Sequence, residues 1–359
     1  MSRVILLADL DYFYAQAEEI RKPALKGRPV AVCMFSGRSE FSGAVATANY
    51  AARALGVKAG MPIGLAKSKS PDIVLLPADR EYYTTVSDRI MEILRSHADK
   101  FEQVSIDEAY LDVSERTKGD FAAAQKLAKE LREKIFEEEK LTCSIGIGPN
   151  KLLSKMAAGV KKPDGLTVVM PKEVGKFLAT QDISDLHGVG PKTIGVLSQN
   201  GIMAIKDLAS APPLQLQEWF GQNKGLAIHE KARGIDNSEV EGKASRQFSR
   251  IATLKENTSS PQKLIEESAK LAQDLCEKAI KEKVFFRTVS IILISNHLED
   301  MTRSKTLPQA TQEKEKIMET AEGLFNTFFA EKPEFVCRRF GVRISGFEEP
   351  KKQKSIFEY

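Results

Sequence analysis

The stretch that decides the fold is Val104-Ser-Ile-Asp-Glu-Ala-Tyr-Leu111, in which two carboxylates stand side by side in a sequence otherwise suited to a buried strand. Burial of one unpaired carboxylate costs several kcal/mol or more. The compensation we expect is a cation. The stretch therefore predicts further oxygen ligands elsewhere in the chain and a substrate that requires the cation.

A second source of carboxylates follows the first strand. Residues 4–8, Val-Ile-Leu-Leu-Ala, form a continuous apolar run, typical of a strand covered on both faces, and Asp-Leu-Asp follows at 9–11. Oxygen ligands with no nearby His or Cys favour Mg²⁺ over zinc. Asp9, Asp107 and Glu108 would suit two Mg²⁺ ions that bind the attacking and leaving oxygens of a phosphoryl transfer.

This hypothesis requires a particular backbone at Asp107. Neighbours on a regular strand point to opposite faces, so Asp107 and Glu108 can share an ion only if the chain turns or bulges there. The alternative is that all three are strand-end acids facing water, because short motifs match often by chance. We assign Asp11 and Asp112 to that alternative.

Composition restricts the class of protein. The chain has 359 residues, 42% hydrophobic and 28% charged, which predicts a globular protein of two to four domains. No apolar run reaches the roughly 18 residues of a membrane span and no signal-peptide pattern follows Met1, so we expect a cytoplasmic protein. The four cysteines form no C-x-x-C pair and the four histidines are far apart, which argues against zinc.

The pattern of helices, strands and polar segments changes along the chain. The first part reads as an α+β unit with an insertion after its first strand, followed by a helical segment, a polar linker and a second region of strands and helices. The predicted domains are 1–12 with 79–168, then 13–78, 169–234, 235–244 as a linker, 245–347, and a charged tail at 348–359.

Basic residues stand where a triphosphate could bind. In Thr47-Ala-Asn-Tyr-Ala-Ala-Arg53, Tyr50 and Arg53 are three apart and lie on one face of a predicted helix. A hydroxyl and a guanidinium on one face suit phosphate oxygens. Lys162 is a further candidate, although each of these residues alone is more often a solvated surface residue.

Three motifs carry a family resemblance. Asp-Leu-Asp-Tyr-Phe-Tyr-Ala-Gln-Ala-Glu at 9–18, Ser-Gly-Ala-Val-Ala-Thr-Ala-Asn-Tyr-Ala-Ala-Arg at 42–53 and Ser-Ile-Asp-Glu-Ala-Tyr-Leu-Asp at 105–112 resemble the Y-family, translesion DNA polymerases of the archaeal branch. The likeness covers essentially the whole chain. It implies an α+β multidomain, right-hand architecture: a palm of mixed sheet and helices, small fingers, a helical thumb and a C-terminal α/β little finger.

The resemblance also assigns roles to residues. The palm ligands of two metal ions fall on Asp9, Asp107 and Glu108, with the Leu10 carbonyl as a further ligand, and Tyr14 takes the place of the steric gate that excludes ribonucleotides. The triphosphate contacts fall on Thr47, Tyr50, Arg53 and Lys162.

Small residues predict a roomy pocket around the nascent base pair. The positions are Ala44, Ala46 and Gly60, with Met34 where relatives usually carry a smaller branched residue. Met34 narrows the pocket or bends away, because Met is adaptable. The alternative is that the small residues only favour close packing.

Two features predict DNA binding. Ile183 to Gly201 resembles a helix-hairpin-helix motif, in which Gly188 and Gly190 allow a tight turn whose backbone N–H groups face a phosphate. The competing interpretation is a Gly-rich connector between helices.

The C-terminal region separates its charges by element. We predict strands at 246–255, 284–295, 302–307 and 335–345 and helices at 260–281 and 309–329. Residues 243–347 hold 18 basic and 14 acidic side chains, and the strand-bearing segments 243–255, 283–307 and 335–347 hold 11 of the basic and 2 of the acidic ones. We therefore expect a positive sheet face that binds duplex without base readout. The candidate residues are Arg246, Arg250, Arg303, Arg338, Arg339 and Arg343.

The tail carries a possible partner motif. Gln353, Ile356 and Tyr359 resemble the peptide that docks on sliding clamps, although the chain stops at the first aromatic position. A tail without a function is the alternative.

We predict a template-directed DNA polymerase of low fidelity that binds primer–template DNA and dNTP, uses two Mg²⁺ ions and acts as a monomer. One rival is a non-catalytic DNA-repair scaffold that keeps the hairpin and the basic sheet. A second rival is a palm-fold nucleotide cyclase, which needs no DNA-binding apparatus.

Overall fold

The first strand lies at the centre of the largest sheet of the chain. The structure, a computed structural model, describes residues 2–242 and 246–348. The elements as far as residue 168 are, in chain order, β1 (Ile5–Leu10), α1 (Phe13–Arg21), β2 (Val30–Phe35), β3 (Gly43–Ala48), α2 (Tyr50–Ala54), α3 (Ile63–Lys69), β4 (Val74–Pro77), α4 (Arg80–Ser96), β5 (Lys100–Gln103), β6 (Glu108–Asp112), α5 (Phe121–Glu139), β7 (Cys143–Gly148), α6 (Lys151–Val160) and β8 (Leu166–Val168).

Five strands form this sheet in the order β5-β6-β1-β7-β8. β1 pairs antiparallel with both β6 and β7, and its residues are almost entirely buried. The continuous apolar sequence of β1 fits a central strand covered on both faces. One face carries the main core, to which α4 and α5 contribute, and α6 packs on the other.

Helix α6 approaches β7 so closely that a side chain cannot stand between them. A Cβ added at Gly146 would lie 2.0 Å from the Ser154 carbonyl oxygen and 2.3 Å from the Ala158 nitrogen. Glycine at 146 is therefore required for this packing, and the packing fixes where the side chains of α6 project.

The inserted segment builds a smaller sheet with its own core. Its strand order is β3-β2-β4, with β2 and β4 parallel. Asn49 links the sheet to α2 because its side chain accepts from the N–H groups of Val30 and Ala52 and donates to Glu19 at 2.7 Å. The Asn49 side chain thereby joins three buried residues, Val30, Ala52 and Glu19, at the position just before Tyr50.

The next segment is helical, as the sequence predicts. It contains α7 (Val174–Ala179), α8 (Pro191–Gln199), α9 (Ile205–Ser210), α10 (Pro213–Phe220) and α11 (Gln222–Ala232). These helices share one core with Leu152, Leu153 and Met156 of α6. The segment therefore continues the packing of the first sheet.

The C-terminal region is a four-stranded sheet covered by two helices. Its elements are β9 (Gln247–Thr258), α12 (Pro261–Lys281), β10 (Phe286–Ser295), β11 (Asp300–Thr311), α13 (Lys314–Glu331) and β12 (Cys337–Ser345). The strand order is β11-β10-β12-β9, and all three pairings are antiparallel. The alternate residues Phe340, Val342 and Ile344 pack in one core with both helices, which leaves the other face of the sheet open.

The largest boundary differences from the sequence prediction are at the end of β11 and the start of α13. β11 continues to Thr311, whereas the pattern predicted a helix from 309. Pro308 lies inside this strand. A proline has no backbone N–H to donate, which is tolerated here because β11 is an edge strand and one of its sides pairs with no other strand.

The chain forms two compact units, Met1–Met34 with Ala44–Lys243, and Phe35–Gly43 with Ala244–Tyr359. The finer division into six parts remains a prediction. All four cysteines are buried and free. Within residues 2–242 and 246–348, no helix is long and apolar enough to cross a membrane.

Candidate active site

The predicted acids meet at one edge of the first sheet. In the pairing of β1 with β6, Asp9 lies directly opposite Glu108. The Leu10 N–H donates to the Asp107 carbonyl at 2.9 Å. Asp107 lies in the turn between β5 and β6, and Glu108 is the first residue of β6. The turn that the metal hypothesis requires is therefore present.

Each acid has a polar partner. Lys162 forms an ion pair with Asp9, and Lys155 forms one with Glu108. The Ser105 hydroxyl donates to Asp107 at 2.5 Å. Burial raises the pKa of Asp9, the contact with Lys162 opposes that rise, and the nearby Glu108 and Asp107 add to it.

The carboxylates do not converge on one point. Among the residues that the structure describes, no three His, Cys, Asp or Glu side chains stand close enough to hold a metal ion together. The donor set still fits a hard divalent cation, because it consists of carboxylate and carbonyl oxygens on adjacent strands. The two lysine ammonium groups already supply the positive charge that these carboxylates require.

The two acids that we assigned no catalytic role have structural partners. Asp11 is fully buried and accepts from the hydroxyls of Thr142 and Ser144 and from the Asp164 N–H. Asp112 accepts from the N–H and hydroxyl of Ser114. Their carboxylates stabilise the turns around the sheet.

The candidate triphosphate residues lie on β3 and α2. Thr47 is half-buried near the end of β3, and Tyr50 begins α2. The Tyr50 hydroxyl is buried and has no hydrogen-bond partner among the described residues. Arg53 lies over the Tyr50 ring, with 5.0 Å between the guanidinium carbon and the ring centroid, and its Nε donates to the Ala48 carbonyl. A buried hydroxyl without a partner beside a guanidinium is suited to a phosphate oxygen.

The candidate gate Tyr14 is supported by a second aromatic ring. Tyr14 stacks on Tyr83 of α4 with centroids 4.3 Å apart and planes 14° apart. The Tyr83 hydroxyl donates to the buried Glu18 at 3.0 Å. The stack and the hydrogen bond fix the Tyr14 ring from one side.

The predicted pocket residues lie on the same small sheet. Ala44 and Ala46 are half-buried on one side of β3, whereas Val45 between them is in the core. Gly60 has φ +81°, and its N–H donates to the Val45 carbonyl. Met34, at the end of β2, is 47% exposed, so its side chain is not packed in the core.

The hairpin at 183–201 has the predicted glycine turn. Gly188 has φ +97°, which favours glycine, and Gly190 precedes α8. The first half is a short 3₁₀ turn at Ile183–Asp185, and α8 ends at Gln199. A cavity of about 790 Å³ runs from Asp9, Lys155 and Lys162 to residues 184–190 of the hairpin.

The arginines of the second unit lie on both faces of its sheet. Arg339 is exposed and Arg343 half-buried, and both alternate with buried core residues, so they lie on the open face. Arg250 and Arg303 stand opposite core residues, on the face that the helices cover. Arg250 reaches Asp274 at 3.8 Å, and Arg303 reaches Glu331 at 3.4 Å.

The other two arginines lie outside this regular alternation. Arg246 is exposed and precedes β9, and Arg338 is half-buried at the irregularity in β12. The structure therefore does not bring all six arginines to one surface. Gln353, Ile356 and Tyr359 of the predicted clamp motif lie outside the described residues.

Sequence reasoning missed Lys155, Tyr83 and Ser105. Lys155 is one of two lysines in α6, and only the packing of α6 on β7 brings it to Glu108. Ser105 is two residues before Asp107, so a search for hydroxyls beside the acids would have found it.

Comparisons with known proteins match the chain along its length. Residues 8–159 match the impB/mucB/samB family, 245–356 match the C-terminal domain of that family, and 184–236 match the thumb domain of DNA polymerase iota. A DNA polymerase IV from Methanosarcina acetivorans is 45% identical, with all of both chains covered. One from Saccharolobus solfataricus is 39% identical over 96% of this chain and 97% of its own.

Solved structures give the same result. A Y-family DNA polymerase chimera superposes with a TM-score of 0.91 at 35% identity, covering 96% of this chain and 99% of that chain. A structure described as an insertion ternary complex of Dbh DNA polymerase has a TM-score of 0.73, also at 35% identity, covering 95% and 98%.

Proposed function

This chain belongs to the impB/mucB/samB family and is a translesion DNA-directed DNA polymerase, and from that premise we propose the residues and ions that carry its reaction. The reaction is metal-dependent nucleotidyl transfer. Two Mg²⁺ ions would be held by the carboxylates of Asp9, Asp107 and Glu108 and by the Leu10 carbonyl. The substrates are primer–template DNA and dNTP.

The contribution of the three acids to the reaction depends on where the fold places their carboxylates. Bound divalent ions would supply Lewis-acid stabilisation of the attacking 3′-oxygen and of the departing pyrophosphate. The pairing of β1 with β6 holds Asp9 and Glu108 side by side, and the turn at Asp107 brings the third carboxylate to the same edge. Glu108 is the acid that we assign to the primer side.

The nucleotide is positioned by α2 and by Lys162. The buried Tyr50 hydroxyl, the Arg53 guanidinium and the Lys162 ammonium bind the triphosphate oxygens, with Thr47 beside them. The Tyr14 ring, held by Tyr83, lies under the sugar and excludes a 2′-hydroxyl. Together these contacts select deoxyribonucleotides by the sugar and the phosphates.

The base pair itself is selected weakly. Ala44, Ala46 and Gly60 present little side-chain volume, and the exposed Met34 is free to move aside. A pocket of this kind accepts damaged or mispaired bases, because discrimination by shape requires tight contact on all sides.

DNA contacts away from the chemistry are to the backbone. The Gly188–Gly190 turn at the start of α8 presents N–H groups to a phosphate, and Arg339 and Arg343 bind phosphates on the open sheet face. The protein acts as a monomer in the cytoplasm, and its C-terminal residues dock on a sliding clamp.

The observation that carries this proposal is the pairing of Asp9 with Glu108 beside the turn at Asp107. The test is single-nucleotide incorporation by the purified protein with Mg²⁺, opposite an abasic site and opposite an undamaged base. We expect yields within an order of magnitude of each other, and no product when EDTA removes the metal. A complete block at the abasic site would contradict the roomy pocket.

The same assay separates the rival functions. A non-catalytic scaffold predicts that wild type and Asp107→Ala are equally inactive, whereas we expect activity only in wild type. A cyclase predicts dNTP turnover without DNA, whereas we expect turnover to require both primer and template.

A further inference from the structure

Two lysines contact the acids: Lys155, to which the proposed reaction gives no role, and Lys162, which we assign to the triphosphate when nucleotide is bound. We propose that Lys155 and Lys162 are built-in counter-ions of the metal-free enzyme, which divalent cations must displace before the acids can ligate them. This inference depends on the metal site of the proposed function. It predicts that Lys155 weakens metal binding.

The first argument is the pairing itself. Asp9 and Glu108 lie opposite each other on adjacent strands, and each carboxylate contacts a lysine instead of sharing a point with the other acids. Two like charges this close, with side-chain exposures of 24% and 14%, are unfavourable unless cations accompany them. The lysines supply two positive charges at the place where divalent cations would supply more.

The second argument is that Lys155 is held there by the fold. Gly146 allows α6 to contact β7 directly, since any Cβ at that position would overlap the backbone of Ser154 and Ala158. Lys155 follows Ser154, so this backbone contact sets where its side chain begins. The packing therefore fixes the backbone of Lys155 at a place from which its side chain reaches Glu108.

The third argument is that the adjoining cavity gives the lysine ammonium groups space to move away from the carboxylates. Lys155 and Lys162 both line the 790 Å³ cavity that extends to the hairpin. A lysine side chain has four rotatable carbon–carbon bonds, so its ammonium can leave a carboxylate without any movement of the backbone. Displacement by a cation thus requires only side-chain rotation.

The test measures metal binding without DNA or nucleotide. Mn²⁺ serves as the probe, and its free concentration is followed by electron paramagnetic resonance for wild type, Lys155→Met and the control Lys129→Met. Lys129 is an exposed residue of α5, so its substitution removes the same charge from the chain. Removal of the ammonium beside Glu108 should tighten Mn²⁺ binding by about threefold to tenfold, because one like charge no longer opposes the ion. The control should bind as wild type does.

A second measurement shows that the variant is folded. In EDTA we expect Lys155→Met to melt below wild type, because Glu108 is left without its partner, and Mn²⁺ should raise the melting temperature of the variant more than that of wild type. Lys155→Gln, which keeps a polar side chain, should behave in the same way.

The outcomes separate the two proposals. If wild type binds Mn²⁺ and Lys155→Met binds it equally or more weakly, the counter-ion role is wrong and the metal site stands. If wild type binds no Mn²⁺ under conditions where it extends primers, the metal assignment to these acids fails, and the counter-ion role fails with it.

Discussion

Charged side chains are arranged differently in two regions of the molecule. One region is the set of strand ends in the first sheet that carries Asp9 and Glu108, and the other is the open face of the second unit's sheet. At the first sheet, a few acids and lysines lie beside strands that are buried on both faces, in a register fixed by β1, β6 and β7. On the second sheet, positive charge lies at separate places on a solvent-facing surface, with Arg339 and Arg343 on β12.

The difference fits the roles that we propose for the two regions. Chemistry at one phosphorus atom needs charges held within fractions of an ångström, and Asp9 and Glu108 lie on paired strands of a buried sheet, with Asp107 in the adjoining turn. Binding of any duplex sequence needs only spread positive charge, which tolerates exposed and movable side chains. A single substitution should therefore have a large effect at the first region and a small one at the second.

The largest expected effect is at Asp9. We expect Asp9→Asn to reduce the rate of single-turnover nucleotide incorporation by about a thousandfold, because a metal-ligand carboxylate is worth several kcal/mol to the transition state. Affinity for primer–template, measured by fluorescence anisotropy, should remain within about twofold of wild type.

Asp112→Asn is the matched control at the other end of the same strand pair. Asp112 lies opposite Ile5 and caps a turn, so its variant should keep most of the activity. Equal losses for both variants would mean that the acids act through stability and not through the reaction.

The second expected effect concerns the sugar. Tyr14→Ala should raise the ratio of kcat/KM for a ribonucleotide to that for the deoxyribonucleotide by about a hundredfold or more, since the ring that collides with a 2′-hydroxyl is removed. Tyr83→Ala should raise the ratio less, because the Tyr14 ring remains but loses its stacked neighbour. A ratio unchanged by Tyr14→Ala would place the gate elsewhere.

The third expected effect compares the two faces of the second sheet. Arg339→Gln with Arg343→Gln should reduce the salt dependence of DNA binding by a slope of about 2, as expected when two phosphate contacts are lost. Arg250→Gln with Arg303→Gln, whose guanidinium groups lie near Asp274 and Glu331, should change the slope less. The reverse order would show that DNA contacts the helix-covered side.

The smallest expected effect is on stability. Burial raises the pKa of Asp9, so the folded state binds the Asp9 proton more tightly than the unfolded chain does. The favourable contribution exists at acidic pH and is lost as pH rises through the raised pKa, so at pH 7 the charged Asp9 destabilises the fold. Without metal at pH 7, Asp9→Asn should therefore melt about 2–4 °C above wild type.

The difference in melting temperature between Asp9→Asn and wild type should diminish when the pH falls below the usual pKa range of an aspartate, because Asp9 is then protonated in both the folded and the unfolded state. A variant that is less stable than wild type at pH 7 would show that the ion pair with Lys162 outweighs the burial of the carboxylate.

The sequence alone predicted that Asp9 follows a buried apolar run, that Tyr50 and Arg53 lie in one helix, that Gly188 lies in a turn, and the order of the elements. This was possible because these features depend on local patterns: a continuous apolar run that leads into Asp9, a hydroxyl and a guanidinium three residues apart at Tyr50 and Arg53, and a turn that favours glycine at Gly188. The periodicity of the second unit likewise predicted its strands and helices, although several of their ends differ, most of all the end of β11 and the start of α13. The end of β11 was missed because a proline at a sheet edge does not interrupt a strand.

Only the tertiary structure decided which charges meet. Lys155 reaches Glu108 because α6 packs on β7 over Gly146, and Arg250 and Arg303 lie beside helix acids because of the strand register. Contacts of this kind join residues far apart in the sequence, and a one-residue change of register would move each side chain to the other face of its sheet. The types of residue follow from the sequence, and their partners follow from the packing.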